Sequence, residues 1–259
     1  MTVLLQVENL NKSFVQPDQG LFSRKKTKVI NNVSLSLKHG ECLGIIGESG
    51  SGKSTLGKLI LGLEKPDSGK IYFNGQDISK KAWKKSVMRR NLSAVFQDYN
   101  ASVNPYFTVE NIIAEPIDIY EKIPNKQRKK RIDELLEQVG LNYTFANRFP
   151  HEMSGGQLQR ICIARAIACQ PQFILFDEAV SSLDISVQAQ ILSLLSELQK
   201  QLNLTSIFIT HDLTTITYLC DRAMFFYRGQ IVEHVDNIEQ LGNVKNAYSK
   251  QLLESVLGF

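Results

Sequence analysis

The 259-residue sequence predicts an α/β fold: a parallel sheet covered by helices, with an antiparallel β arm and an inserted α-helical subdomain. Three observations carry that prediction. Strand-like runs rich in Val, Ile and Phe alternate with stretches of helical periodicity. The run at residues 41–46 leads straight into a glycine-rich segment that opens a helix. The run at 173–176 is wholly apolar and ends in Asp177 and Glu178, as a strand buried on both faces does.

The elements follow in chain order. Residues 4–10 and 29–37 alternate apolar and polar, as half-buried strands do. Residues 69–73, followed by the turn pair Asn74-Gly75, add a hairpin arm. Between the first two strands, residues 16–28 carry Pro17, Gly20 and the basic run Arg24-Lys25-Lys26, which reads as a loop or open hairpin tip. Strands at 41–46 and 92–96 belong to the core. From about 107 to 151 the strand signals stop, and helices are expected at 109–114 and 126–139, the latter with Ile132, Leu135, Leu136 and Val139 at helical spacing. Then come a helix at 156–168, the apolar strand at 173–176 and a helix with Val187, Ile191, Leu194, Leu195, Leu198 and Leu202 on one face. A β-branched strand at 205–210 follows. The chain reads as one domain over 1–259, its core and arm drawn from about 1–97 and 170–259 and its helical subdomain from about 98–169.

Composition excludes several classes. With 43% apolar and 22% charged residues the chain is neither disordered nor fibrous. The net charge of +4 is too mild to imply nucleic acid by itself. Basic clusters at 80–90 and 126–131 lack interleaved aromatics beyond Trp83 and read as solvated helix faces or a surface near anionic lipid. The apolar runs fall far short of the about 20 residues a membrane-spanning helix needs, and residues 1–14 lack the pattern of a secretory signal. Cys42, Cys162, Cys169 and Cys220 form no C-x-x-C pair and read as buried small residues.

The segment Gly47-Glu48-Ser49-Gly50-Ser51-Gly52-Lys53-Ser54-Thr55 matches G-x-x-x-x-G-K-[ST] between a strand and a helix. Its glycines let successive N–H groups turn inward on a phosphate, Lys53 can reach the β and γ phosphates, and Ser54 can offer its hydroxyl to Mg²⁺. Asp177 and Glu178 are then delivered to the phosphate end of the sheet, the first to hold the water shell of Mg²⁺ and the second to act as general base toward an attacking water. About a hundred residues after Lys53, Met153-Ser154-Gly155-Gly156-Gln157 opens another helix as a second anion-seeking start.

With these motifs the sequence resembles the ATP-binding cassette (ABC) ATPases, whose signature usually reads L-S-G-G-Q; Met153 stands here for Leu. The resemblance spans nearly the whole chain and implies a head-to-tail dimer in which each ATP lies between one subunit's lysine loop and the other's signature. It assigns Gln97 to the Q-loop, which senses Mg²⁺ and the attacking water. Ser182-Leu183-Asp184 becomes the D-loop, with Asp184 at the dimer interface, and His211 the switch histidine that contacts the γ-phosphate. Phe14 takes the position of the aromatic that stacks on adenine, with Phe22 as a second candidate.

Residues 97–105, Thr108-Val109 and Ala114-Glu115-Pro116 resemble the subfamily that powers uptake of nickel, dipeptides and oligopeptides. Asp177-Glu178-Ala179-Val180-Ser181, with Ala where peptide importers more often have Pro, resembles the nickel-import branch. Asn246-Ala247-Tyr248-Ser249-Lys250-Gln251-Leu252-Leu253 resembles the subfamily's H-P-Y-T-x-x-L-L segment without its His-Pro pair, and no cysteine follows Cys220. Nickel or a related metal, as the ion or a chelate, is therefore the expected cargo, with peptides as the alternative. The cargo does not touch this subunit, so His39, His151, His211 and His234 are not read as a nickel site. The resemblance implies ATP and Mg²⁺ as cofactors and a place on the cytoplasmic face of the membrane. The implied partners are a paralogous ATPase or a second copy, two permease subunits and a solute-binding protein. A non-transport ABC ATPase is the competing class, but neither a long coiled-coil insertion nor a second cassette is present.

Overall fold

The computed structural model describes residues 2–15, 26–80, 83 and 87–257. Its elements in chain order begin with the strands β1 (Val3–Val15), β2 (Lys26–Lys38) and β3 (Cys42–Ile46), then helix α1 (Lys53–Ile60), β4 (Ser68–Phe73) and β5 (Gln76–Asp77). There follow β6 (Leu92–Phe96), α2 (Val109–Tyr120), α3 (Asn125–Gln138), α4 (Gly155–Ile167), β7 (Phe173–Asp177) and α5 (Ile185–Leu202). The chain closes with β8 (Thr205–Thr210), α6 (Leu213–Leu219), β9 (Arg222–Tyr227), β10 (Gln230–Val235) and α7 (Ala247–Leu257). These elements group into two compact units, Met1–Lys85 with Ile207–Phe259, and Ser86–Ser206.

In the first unit the expected arm is an antiparallel sheet in the order β2-β1-β4-β5. Alternation buries Leu5, Val7 and Leu10 of β1 against Ile30, Val33, Leu35 and Leu37 of β2. The strands run further than their apolar pattern: Val15 pairs with Lys26, Phe14 with Thr27 and Ser13 with Lys28, so residues 26–28 are strand and not loop. Backbone pairing at a solvated edge needs no apolar side chain, so no alternation marks these residues. The rest of the expected loop, with Phe22, lies outside the described residues. In the other sheet β3 is buried along its whole length and runs parallel to β9, which turns back antiparallel into β10. The Sγ atoms of Cys42 and Cys220 lie 3.4 Å apart in this unit, and burial pushes the Cys220 thiol well above its usual range.

The second unit carries β6 and β7 side by side and parallel, with α2 to α5. Thr108 caps α2, accepting from the Asn111 N–H, and Val109, Ile112, Ile113 and Ile117 are buried. This helix continues past the expected residue 114, through Pro116, to Tyr120, because tertiary burial outweighs the single hydrogen bond a proline removes. Helix α3 buries Ile132, Leu135 and Leu136. Two of its basic residues are paired with acids: Arg128 with Glu110 at 2.7 Å and Asp118 at 2.9 Å, and Arg131 with Glu121 at 2.5 Å. All four cysteines are buried as expected, and burial pushes the Cys162 and Cys169 thiols up to about 11. Among the described residues no helix is long and apolar enough to cross a membrane.

Candidate active site

The first unit carries the phosphate loop. Strand β3 ends at Ile46 and α1 runs from Lys53 to Ile60, ending there because Gly62 takes a left-handed turn (φ 66°). Gly50 (φ 77°) and Gly52 (φ 109°) hold backbone conformations that L side chains resist. A Cβ on Gly47 would lie 2.2 Å from the Phe226 carbonyl oxygen, so β9 closes the back of the loop. Lys53 is only 5% exposed, and its Nζ donates to the Gly47 and Glu48 carbonyls at 2.7 and 2.8 Å, inside the curl of the loop. No side-chain hydrogen bond caps α1 and no acid sits in its first turn, so the helix dipole meets an anion unopposed. Ser54 is exposed at the same helix start.

Two supports of this loop come from far along the chain, one of them from the 246–253 segment. The Gly229 N–H, at the β9–β10 turn, donates to the Ser51 carbonyl at 3.0 Å, and the Glu48 N–H donates to the Tyr248 hydroxyl of α7 at 3.0 Å. Phe14, at 39% exposure on β1, presents a ring available for stacking, and the Lys12 ammonium lies 4.9 Å from its centroid. Lys12 is itself held by the Lys65 carbonyl at 2.8 Å and Glu64 at 3.2 Å. His211 is exposed at the end of β8, immediately before the α6 cap. Asp212 accepts from the Thr214 and Thr215 N–H groups at 2.9 and 3.1 Å and from the Thr215 hydroxyl at 2.5 Å. Burial pushes the Asp212 carboxyl up, but the Thr215 hydroxyl and the two N–H groups outweigh it and hold the carboxyl below its usual range.

The second unit, taken by itself, carries the acids, Gln97 and the signature. Phe96 is registered against Asp177, so exposed Gln97 and half-buried Glu178 leave the same ends of neighbouring parallel strands. Asp177 is buried, whereas Glu178 turns the chain with φ 51°, a left-handed conformation rare for a non-glycine residue. The Ser181 N–H and hydroxyl donate to the Glu178 carbonyl at 3.2 and 3.0 Å, fixing that turn. Gln159 of α4 donates from Nε2 to the Ala179 carbonyl at 2.6 Å. No sequence motif singles it out; the available signal is a polar residue among Leu158, Ile161 and Cys162 on a buried helix.

The signature forms a capping box: the Ser154 hydroxyl accepts from the Gln157 N–H at 3.3 Å, and the Gln157 side chain accepts from the Ser154 N–H at 3.0 Å. Both side chains therefore define the helix start. Gly155 and Gly156 are needed for close approach, since a Cβ would meet the Tyr99 hydroxyl oxygen at 2.7 Å or Val187 Cγ1 at 2.4 Å. Asp184 caps α5, accepting from the Val187 N–H at 2.9 Å and the Ser186 hydroxyl at 2.8 Å, and these bonds hold its carboxyl below the usual range. Taken unit by unit, the residues fit the parts of MgATP: in the first, an uncapped helix start with a buried lysine suits phosphates and Ser54 offers an oxygen donor, and in the second, Gln97 and Asp177 are oxygen donors of the kind a hard cation takes.

This fold is that of an ABC ATPase. Residues 30–181 match the family described as ABC transporter, and the chain belongs to that family, whose members hydrolyse ATP. It is 45% identical to the oligopeptide transport ATP-binding protein AppF of Bacillus subtilis, over 98% of this chain and 78% of that one. It is 42% identical to the metal-staphylopine import system ATP-binding protein CntF of Staphylococcus aureus, over 99% of this chain and 100% of that one. Among solved structures, the post-hydrolysis dimer of the cassette MJ0796 bound to ADP and Pi superposes with TM-score 0.78 at 30% identity, over 89% of this chain and 97% of that one. CbiO1 of Clostridium perfringens, part of the cbiONQ complex, gives 0.79 at 26% identity, over 100% and 97%.

Proposed function

We propose that the chain is the motor of an ABC importer, coupling ATP hydrolysis to uptake of oligopeptides through separate membrane subunits. The observation that carries the peptide reading is the 41–45% identity to peptide-transport ATP-binding proteins from several bacteria. The second reading is a metal chelate or nickel. Ala179 in place of proline after Glu178 favours it, as does the 42% identity to CntF along that protein's full length.

In this reading Lys53 and the N–H groups of residues 47–55 bind the phosphates, and Phe14 stacks on adenine. When bound, Mg²⁺ supplies charge neutralisation at the β and γ phosphates, with Ser54, Gln97 and Asp177 as its holders. Glu178 takes a proton from the attacking water, and His211 orients the γ-phosphate and that water. Ser154, Gly155, Gly156, Gln157 and Asp184 act on the nucleotide of the opposing subunit in a head-to-tail dimer. That subunit is a paralogous ATPase or a second copy. The pair sits on the cytoplasmic face of the membrane beneath two permease subunits fed by a solute-binding protein. Residues 98–169 form the helical subdomain that meets the permease.

Uptake of a labelled oligopeptide, labelled nickel and a labelled nickel chelate in a strain lacking the gene tests the assignment. Loss of peptide uptake alone supports the first reading. Loss confined to nickel or its chelate supports the second, and unaltered uptake of all three defeats both.

A further inference from the structure

We propose that Gln159 is a positioning residue that ties the signature helix to the turn carrying Glu178 in the same subunit, so that what the signature binds bears on the subunit's own hydrolysis. The inference rests on the reading of Glu178 as general base.

Gln159 is 0% exposed and lies three and four residues beyond Gly156 and Gly155, on the same side of α4. Its Nε2 donates to the Ala179 carbonyl at 2.6 Å, one residue past the left-handed Glu178. The next contacts tighten the same turn: the Ser181 N–H and hydroxyl bind the Glu178 carbonyl, and the Leu183 N–H binds the Val180 carbonyl at 3.2 Å. The turn also lies close to the signature, since Leu183 Cδ2 would be 3.6 Å from a Cβ added at Gly155. Signature glycines, Gln159 and the Glu178 turn therefore form one packed block within the second unit. A small shift of the signature helix moves the Ala179 carbonyl and re-aims the Glu178 carboxylate.

The other half of the Gln159 amide separates positioning from simple packing. Its Oε1 is buried and has no hydrogen-bond partner among the described residues. An unbranched apolar side chain of the same length would remove that unpartnered acceptor but leave the buried Ala179 carbonyl without its donor, so the exchange is close to neutral for fold stability. What only the amide supplies is the donor to Ala179. In a head-to-tail dimer the signature faces the opposing subunit's γ-phosphate, so this bond runs between the two nucleotides of the pair.

The test measures ATPase activity of the full chain assembled with its importer partners, for the wild type and the variants Gln159→Met, Gln159→Glu and Glu178→Gln. Gln159→Met is expected to lower kcat about ten-fold or more and to reduce cooperativity in ATP. Its affinity for a non-hydrolysable ATP analogue should stay within about two-fold of wild type, and its unfolding midpoint should stay close to that of wild type. In Gln159→Glu the carboxyl can donate to Ala179 only when protonated, so its kcat relative to wild type should rise as pH falls. A Gln159→Met protein with wild-type kcat and cooperativity overturns the inference. So does one whose lost kcat is matched by equally lost analogue binding and a lowered midpoint. If Glu178→Gln still turns over, the reading of the base fails and this inference with it. If Glu178→Gln is inactive while Gln159→Met is normal, only this inference falls.

Discussion

The Tyr248 hydroxyl accepts the Glu48 N–H at 3.0 Å, and its ring packs 4.2 Å from that of Tyr227. A side chain of α7 thus holds the second residue of the phosphate loop in place. The Asn246 side chain accepts from the Tyr248 N–H at 2.9 Å, and the Glu233 carboxylate accepts from the Lys245 and Asn246 N–H groups at 2.5 and 3.2 Å, so the support is itself anchored. Tyr248→Phe keeps the ring contact and strips the Glu48 N–H of its acceptor. It should destabilise the protein by about 1–2 kcal/mol in urea unfolding and raise KM for ATP with little change in kcat.

Lys53 is buried with its ammonium inside the loop. Lys53→Met removes a charge-assisted contact to phosphate worth about 1.5–3 kcal/mol, so affinity for ATP should fall by about 10- to 100-fold. Equilibrium titration with a fluorescent ATP analogue reads this directly, and unchanged affinity would remove Lys53 from the phosphate site.

Glu178→Gln keeps the size and the left-handed turn but cannot accept a proton from water. ATP binding should persist while turnover falls by about 10² to 10⁴-fold, the usual contribution of a general base. A phosphate-release assay beside a binding assay separates the two effects.

Gly156→Ala would place a methyl 2.4 Å from Val187 Cγ1. Overpacking of this kind costs about 1–3 kcal/mol, which thermal unfolding would register. Val187→Ala should restore much of that loss in the double variant, because it removes the atom the new methyl strikes.

Asp212 has its carboxyl held below the usual range in the fold. A depressed folded pKa means that its stabilisation is complete above the unfolded value, about 3.9, and is lost as pH falls through the folded value. The stability gap between wild type and Asp212→Asn should therefore be present at pH 7 and close on acidification below about pH 4. A gap of constant size through that range would mean the Asp212 charge adds nothing to the cap.

Much of the site is legible in the amino-acid sequence. The run into Gly47, the helix after Lys53 and the acid-tipped strand at 173–177 appear where their local pattern puts them, because glycine conformations, strand burial and helix starts are set by near neighbours. The S-G-G-Q segment reads as an anion site, and the structure adds that Ser154 and Gln157 cap one another. Helix α6 and the β9–β10 hairpin carry no comparable signal, and the 246–253 segment gives no hint that Tyr248 of α7 reaches Glu48, although the hairpin and α7 supply the Ser51 and Glu48 contacts.

Sequence alone indicated which residues could meet phosphate, water and Mg²⁺: Lys53, Ser54, Asp177 and Glu178 through side-chain chemistry and short spacing, Gln97 and His211 through the family resemblance. Only the tertiary structure decided what holds them. Glu48 meets Tyr248 across 200 positions, Cys42 donates its N–H to Asp221 across 179, and Gln159 reaches Ala179 across 20. Such pairings depend on the path of the folded chain, and no local propensity records where a distant strand or helix will pass.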